Sequence, residues 1–388
     1  MSNRWKGGFI QAFFDPLTEG PLVGGAGPLY SWGAGTQGMT GQGDTINRSS
    51  PVQIGSLTNW SDVTPGFLYA HAQKADGTLW AWGANAYGVF GTGNNVYASS
   101  PVQVGALTTW SQVAHGPTSW FSAALKTDGS LWTWGIGNNS QLGDGSSTSR
   151  SSPVQVGALT DWAKIEVGAY FCAAIKTDGT LWTWGVYNVG ALGQNNAVTY
   201  NSPVQVGALT TWLDIACGNY HTIARKTDGT IWTWGTSEGL GGQNNNVVYS
   251  SPVQVGALTN WSKVFAGSYS TFAITTDGAL WSWGSNTWGQ LGQNDTIRRS
   301  SPVQVGTLLN WSKVDCDGES AVDTASAIKT DGTLWTWGNN AKGTLGVNDI
   351  IARSSPVQLG ALATWDSAKV GGSNSTGGST FILAIEKT

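Results

Sequence analysis

The chain is short of charge, of sulfur and of long apolar runs, and each shortage removes a class of protein. Of its 388 residues only 19 are Lys or Arg and 23 are Asp or Glu, a charged share of 11% with a net charge of -4. Soluble proteins average about 25% charged residues. There is no Lys/Arg run, so the phosphate contacts that hold nucleic acid or an anionic bilayer have no source. No apolar stretch approaches the roughly 18 residues of a membrane span, and Met1 to Ile10 lacks a signal-peptide core. The expectation is a chain made in a cytoplasm, with no nucleic acid partner and no membrane insertion.

Cysteine is equally scarce. Cys172, Cys217 and Cys316 are odd in number and far apart, with no Cys-x-x-Cys pair, which argues against a disulfide framework, a zinc knuckle or a redox couple. The three histidines, His71, His115 and His221, occupy three different repeat positions. On that reading the fold brings them to no common ring, no catalytic triad is specified, and no enzyme activity is expected. One candidate metal set exists, five residues after a recurring Trp, where His115, Cys217 and Cys316 stand among Pro65, Val167, Ala266 and Val370. Ligation would need three side chains to meet across a wide axis, and small buried hydrophobes explain the cysteines. No catalytic, cofactor-binding or metal-binding residue is assigned, and no cofactor is expected.

What the chain has in abundance is repetition. A Trp-x-Trp-Gly strand, a Gly-rich loop, Ser-Pro-Val-Gln and a lone Trp return around Pro51, Pro101, Pro153, Pro203, Pro252, Pro302 and Pro356. The period is about 50 residues, in the range of propeller blades. In six of the seven copies an Asp-Gly pair divides two alternating runs, at Asp76, Asp128, Asp178, Asp228, Asp277 and Asp331, the mark of a tight hairpin in which both central residues take positive φ. In one copy the strands are expected at Ser262 to Ala266, Thr271 to Thr276, Ala279 to Trp283 and Ser301 to Val305.

Phe381 to Thr388 matches the strand before the hairpin, and Pro28 to Gly33 matches the strand after it. The two ends are therefore halves of one unit. The predicted fold is all-β: a seven-bladed β-propeller over 27–388 with four-stranded antiparallel blades, closed by pairing of N- and C-terminal strands, which removes open sheet edges. Of 23 tryptophans, all but Trp5, Trp120 and Trp288 belong to the repeat, where rings at i and i+2 share a sheet face and fill the space between blades.

The string from Trp281 to Gly292, repeated from Trp335 to Gly346, resembles the repeat of the regulator-of-chromosome-condensation family, and Cys217 to Thr222 resembles its Gly-x-x-His element. The likeness covers 28–388 and implies a protein-binding disc; members include an exchange factor on chromatin, a plant photoreceptor, ubiquitin-ligase modules and a β-lactamase inhibitor. A light sensor would need cations among the Trp strands, and no Arg lies there.

Function is sought where the repeat breaks. The distance from lone Trp to hairpin Asp is 16 residues in four copies, 18 from Trp110 to Asp128 and 20 from Trp311 to Asp331; the last copy, Trp365 to Thr388, runs 23. All three insertions fall in one loop type, hence on one face, which marks either a binding side or drift in tolerant loops. That face would present Ser119, Trp120, Glu319, Asp323 and Asn374 beside Tyr87 and Trp288, with Trp120 and Trp288 as anchors.

Residues 1–26 lie outside the repeat. This aromatic, Gly-rich arm carries Trp5, Phe9, Phe13 and Phe14 and is expected to dock on a neighbour; its opening resembles the N-termini of tailed-phage virion proteins. The leading expectation is a non-enzymatic virion component, a decoration, fibre-associated or tail protein. It would bind another virion protein through its arm and a protein or host surface glycan through its variable face. The alternative is a free cytoplasmic propeller acting on a soluble partner as inhibitor or exchange factor.

Overall fold

A computed structural model describes residues 26–116, 118–186, 189–236, 239–317, 324–372 and 380–387. It contains seven antiparallel sheets of four strands each. Blades 1 to 6 span 60–103, 110–155, 162–205, 212–254, 261–304 and 311–358, and blade 7 joins 365–386 to 29–53. Their innermost strands, Trp60–Pro65, Trp110–His115, Trp162–Val167, Trp212–Cys217, Trp261–Ala266, Trp311–Asp317 and Trp365–Gly371, touch in that order and close into a ring. The ends meet as predicted: Leu29–Gly33 pairs with Phe381–Glu386, Leu29 opposite Ile385 and Gly33 opposite Phe381. Strand bounds in blade 5, Trp261–Ala266, Ser270–Thr275, Leu280–Gly284 and Arg299–Gln304, lie within two residues of expectation.

The hairpin differs in detail. Only the glycine takes positive φ (Gly77, 78°), while its N–H donates to Lys74 O and the Lys74 N–H to Thr78 O. This is a type I turn followed by a glycine bulge rather than a two-residue mirror-image turn. Asp76 serves it with its carboxylate, which accepts the N–H and hydroxyl of Thr78.

Each kind of tryptophan has its own task. The second ring of every pair is fully buried and donates its indole N–H to a carbonyl of the preceding blade: Trp82 to Met39 at 2.9 Å, Trp134 to Val89 at 2.7 Å, Trp32 to Thr344 at 2.7 Å. The loops admit these rings only because glycine lies beneath; a Cβ on Gly41 would stand 2.8 Å from Trp82 Nε1. The lone rings pack edge-on against the first ring of the pair, Trp60 on Trp80 at 6.2 Å and 80°.

Candidate functional site

Side chains two or four places after the lone Trp tie neighbouring blades together along the inner ring. Thr64 donates its hydroxyl to Val113 O, Gln112 its amide to Ile165 O, Lys263 its ammonium to Ser312 O and Lys313 its ammonium to Asp366 O. Lys164 pairs with Asp214 at 2.9 Å, and Lys369 reaches Asp62 at 3.9 Å, carrying the ring from blade 7 to blade 1. Asp315 in turn accepts the Val370 N–H at 2.7 Å. The innermost strands pair outward with the second strand of their blade but have no strand on the channel side, and these side chains bind the edges left exposed there.

The fourth place reads Thr64, Ala114, Glu166, Ala216, Phe265, Asp315 and Lys369, and its three charges face one lumen. Burial is the first cause that raises the Glu166 carboxyl, to about 7, with Lys369 opposing. Asp315 is raised to about 6 by the same cause. Lys369 is held above the usual lysine value, chiefly by Asp62, with Asp315 and Glu166 adding. These side chains remain half-exposed to channel water although protein surrounds them, so water screens their charges from one another. No hydrogen bond reaches the Glu166 carboxyl among the described residues.

The metal-like set at the fifth place does not form. Cys217 and Cys316 are buried between blades, a displacement of one residue that sends a strand side chain to the other face. Among the described residues no group of three or more His, Cys, Asp or Glu is placed to hold a metal ion. His115 meets a histidine instead, against the expectation that the fold keeps the three apart. His71 Nδ1 lies 3.1 Å from His115 Nε2, and His115 Nδ1 2.8 Å from the Tyr69 hydroxyl. Burial lowers His71 to about 4 and His115 well below its ordinary value. Equivalent repeat positions do not predict this contact, because a second strand of one blade faces the innermost strand of the next.

The insertion of blade 2 turns inward. Thr118 donates its hydroxyl to Asn219 Oδ1 of blade 4 at 2.9 Å, so the loop crosses the channel mouth above blade 3. Ser119 is buried and its hydroxyl is engaged by the Gly116 backbone. Trp120 is half-buried on a second aromatic group, 5.2 Å from Phe67, 6.4 Å from Tyr69 and 6.2 Å from Tyr87. Tyr87 is 51% exposed and Trp288 40%. The fold brings Trp120 and Tyr87 together but leaves Trp288 on blade 5, at the repeat position equivalent to Tyr87. Glu319, Asp323, Asn374 and the arm residues Trp5, Phe9, Phe13 and Phe14 lie outside the described residues.

Cations do stand among the Trp strands, as lysines. Lys74, Lys126, Lys226 and Lys329 place Nζ 3.5 to 3.6 Å from the ring centres of Trp80, Trp132, Trp232 and Trp335, and Lys176 lies 4.5 Å from Trp182. The charged lumen was missed; its signal is a place on the innermost strand reading Thr, Ala, Glu, Ala, Phe, Asp, Lys, three of the seven charged.

Seven closed, four-stranded blades with a crossed channel mouth define a seven-bladed β-propeller whose distinctive groups sit in its loops and lumen. The chain belongs to the regulator of chromosome condensation (RCC1) repeat family: the repeat matches residues 26–66, 76–125, 128–175, 178–225, 277–320 and 331–376, and a second form matches 212–239 and 261–290. In fold it is similar to Prp20p from Saccharomyces cerevisiae, described with its binding properties to Gsp1p and histones. Identity is 16% and TM-score 0.81, over 97% of this chain and 96% of that one. It is also similar to human WBSCR16, with 17% identity and TM-score 0.78 over 94% of this chain and 99% of that one. No curated protein sequence matches.

Proposed function

We infer that this protein is a non-enzymatic interaction module that docks a protein partner on its loop face. The carrying observation is the Phe67, Tyr69, Tyr87 and Trp120 group, an aromatic anchor packed beside the loop that reaches across to Asn219, with Tyr87 half in solvent. Interface hot spots favour this composition and a supported, rigid ring. Membership of a repeat family whose fold relative Prp20p is described by its binding to Gsp1p and histones supports a docking role. Pull-down with Tyr87→Ala, Trp120→Ala and Trp288→Ala proteins tests it; undiminished capture of every partner by all three would overturn it.

The finer reading is a virion component, with the soluble regulator in a cytoplasm as its alternative. It rests on the arm of residues 1–26, whose Trp5, Phe9, Phe13 and Phe14 need a covered site. Deleting 1–26 and following incorporation into particles tests the anchoring; unchanged incorporation would sink it. A glycan array on the intact chain decides whether the loop face takes a host sugar rather than a protein.

A further inference from the structure

The repeat supplies its own control experiment. In blades 1, 2, 3, 4 and 6 a lysine lays its ammonium over the first Trp of the pair, about 5 Å from the lone Trp as well. The carboxylate of the hairpin Asp that follows attracts that ammonium, as Asp76 does Lys74. The indole N–H of the same Trp donates to a hydroxyl in the hairpin, Trp80 to Thr78 at 3.0 Å.

Blade 5 keeps the rings and the carboxylate but has lost both partners. Thr275 replaces the lysine and Ala279 the hydroxyl. Trp261 and Trp281 stand 5.8 Å apart at 77°, and among the described residues the Trp281 indole N–H has no partner. No cation lies over either ring among the described residues, and Asp277 is bonded only to Thr275 Oγ1 and the Ala279 N–H. An aromatic pair and a carboxylate, arranged to hold an alkylammonium, are left without one.

The position is open to solvent where it can be seen in equivalent copies. At the boundary of blades 7 and 1 a cavity of about 310 Å³ is lined by Leu57, Trp60, Lys74, Trp80 and Pro101. At the boundary of blades 5 and 6 its counterpart, about 290 Å³, is lined by Leu308, Trp311, Trp335 and Pro356. In the first the lysine is one of the lining residues. At the boundary of blades 4 and 5 the same repeat places hold Leu258, Trp261, Thr275, Trp281 and Pro302.

We propose that the notch formed by Trp261, Trp281 and Asp277 binds an alkylammonium from outside, the side chain of a lysine on a partner protein. The chain's own five lysines define the occupant, since they show which chemistry these rings and this carboxylate hold. The inference is independent of docking through Trp120, which lies on another blade.

The test uses 15N-labelled full-length protein, with the indole signals of Trp261 and Trp281 assigned by single Phe substitutions. The probe is Nα-acetyl-lysine N-methylamide, and its Nε-acetylated, uncharged form is the control. The cationic probe is expected to shift both signals and the uncharged one neither. Thr275→Lys fills the notch from within, keeps the fold seen in five other blades, and abolishes the response; Asp277→Asn weakens binding several-fold. Equal response to both probes, no response to either, or a response that survives Thr275→Lys overturns the proposal. Because the readout is local, a failed pull-down with the Trp120 variant leaves this result unaffected, and the reverse also holds.

Discussion

His71 Nδ1 and His115 Nε2 face each other at 3.1 Å across the boundary of blades 1 and 2, in the middle of a chain of four contacts ending on two carbonyls. Phe90 O accepts from His71 Nε2 at one end, and Phe121 O from the Tyr69 hydroxyl at the other. Four links need four protons, and two neutral imidazoles with one phenol bring three. Burial opposes charge on the pair, so the neutral form persists at neutral pH with one link unmade.

Acid should therefore destabilise this junction. His71 is lowered to about 4 from an ordinary value of 6.5, so the unfolded chain binds more protons than the folded one between those values. The contribution to stability is present above pH 6.5 and is lost as pH falls towards 4, by up to about 1.4 kcal/mol per unit. His71→Gln keeps a donor for Phe90 O and cannot titrate; unfolding free energy against pH should lose up to one proton of slope. NMR titration should show the pair taking up one proton before unfolding, not two.

The lumen works in the opposite sense. Glu166 is raised to about 7 and Asp315 to about 6, so the folded state binds more protons than the unfolded one from about pH 4.5 upwards. Their contribution is full at low pH and is lost as pH rises through those values. After a discount for channel water, Glu166→Gln should stabilise the protein at pH 8 by about 1 kcal/mol. Chemical denaturation at pH 5 and pH 8 reads this directly, the gain being smaller at pH 5.

Trp120 and Trp288 should part company when truncated. Trp120 rests on three aromatic rings, so Trp120→Ala is expected to cost about 1 to 3 kcal/mol. Trp288 is 40% exposed, and its removal should change stability by no more than about 0.5 kcal/mol. Urea unfolding of the two variants decides it, and any loss of partner with Trp288→Ala can then be read as loss of contact.

Closure through blade 7 predicts two opposite truncation results. Removing 381–388 strips the strand between Leu29–Gly33 and Trp365–Gly371, and the product should aggregate on its bare edges instead of running as a monomer in gel filtration. A circular permutant joining 388 to 27 and opened in the exposed 105–107 link should melt within about 5 °C of the parent. The native ends are already adjacent, the Glu386 N–H donating to Pro28 O at 3.1 Å.

The architecture was legible in the sequence because blade number, strand order and closure are each written several times over in Trp, Pro and Asp-Gly spacings. The site was far less so. Which of two adjacent residues faces the channel is a matter of strand parity, and the reading took Cys217 where Ala216 and its counterparts Glu166, Asp315 and Lys369 belong. The His71 to His115 contact and the Thr118 to Asn219 bridge join unlike positions of different blades, and internal repetition informs only on like ones. The lysines over tryptophan were visible two places before five of the six Asp-Gly pairs, yet their meaning depends on a side chain folding back over a ring on the next strand.

The ties along the inner ring all run forward, from one blade to the next, but at one joint the pattern lapses. Asp214 on blade 4 is bonded back to Lys164, and Ala216 has no polar group to send on; the second strands supply the contact instead, through His221 Nε2 and Thr271 Oγ1 at 3.0 Å. A hoop fastened differently at one joint has a preferred place to breathe. Amide exchange should be fastest where blades 4 and 5 meet, and this is also a joint whose aromatic notch lacks the lysine. A ligand arriving there would act as a missing rivet, turning the most yielding part of the ring into a fastened one.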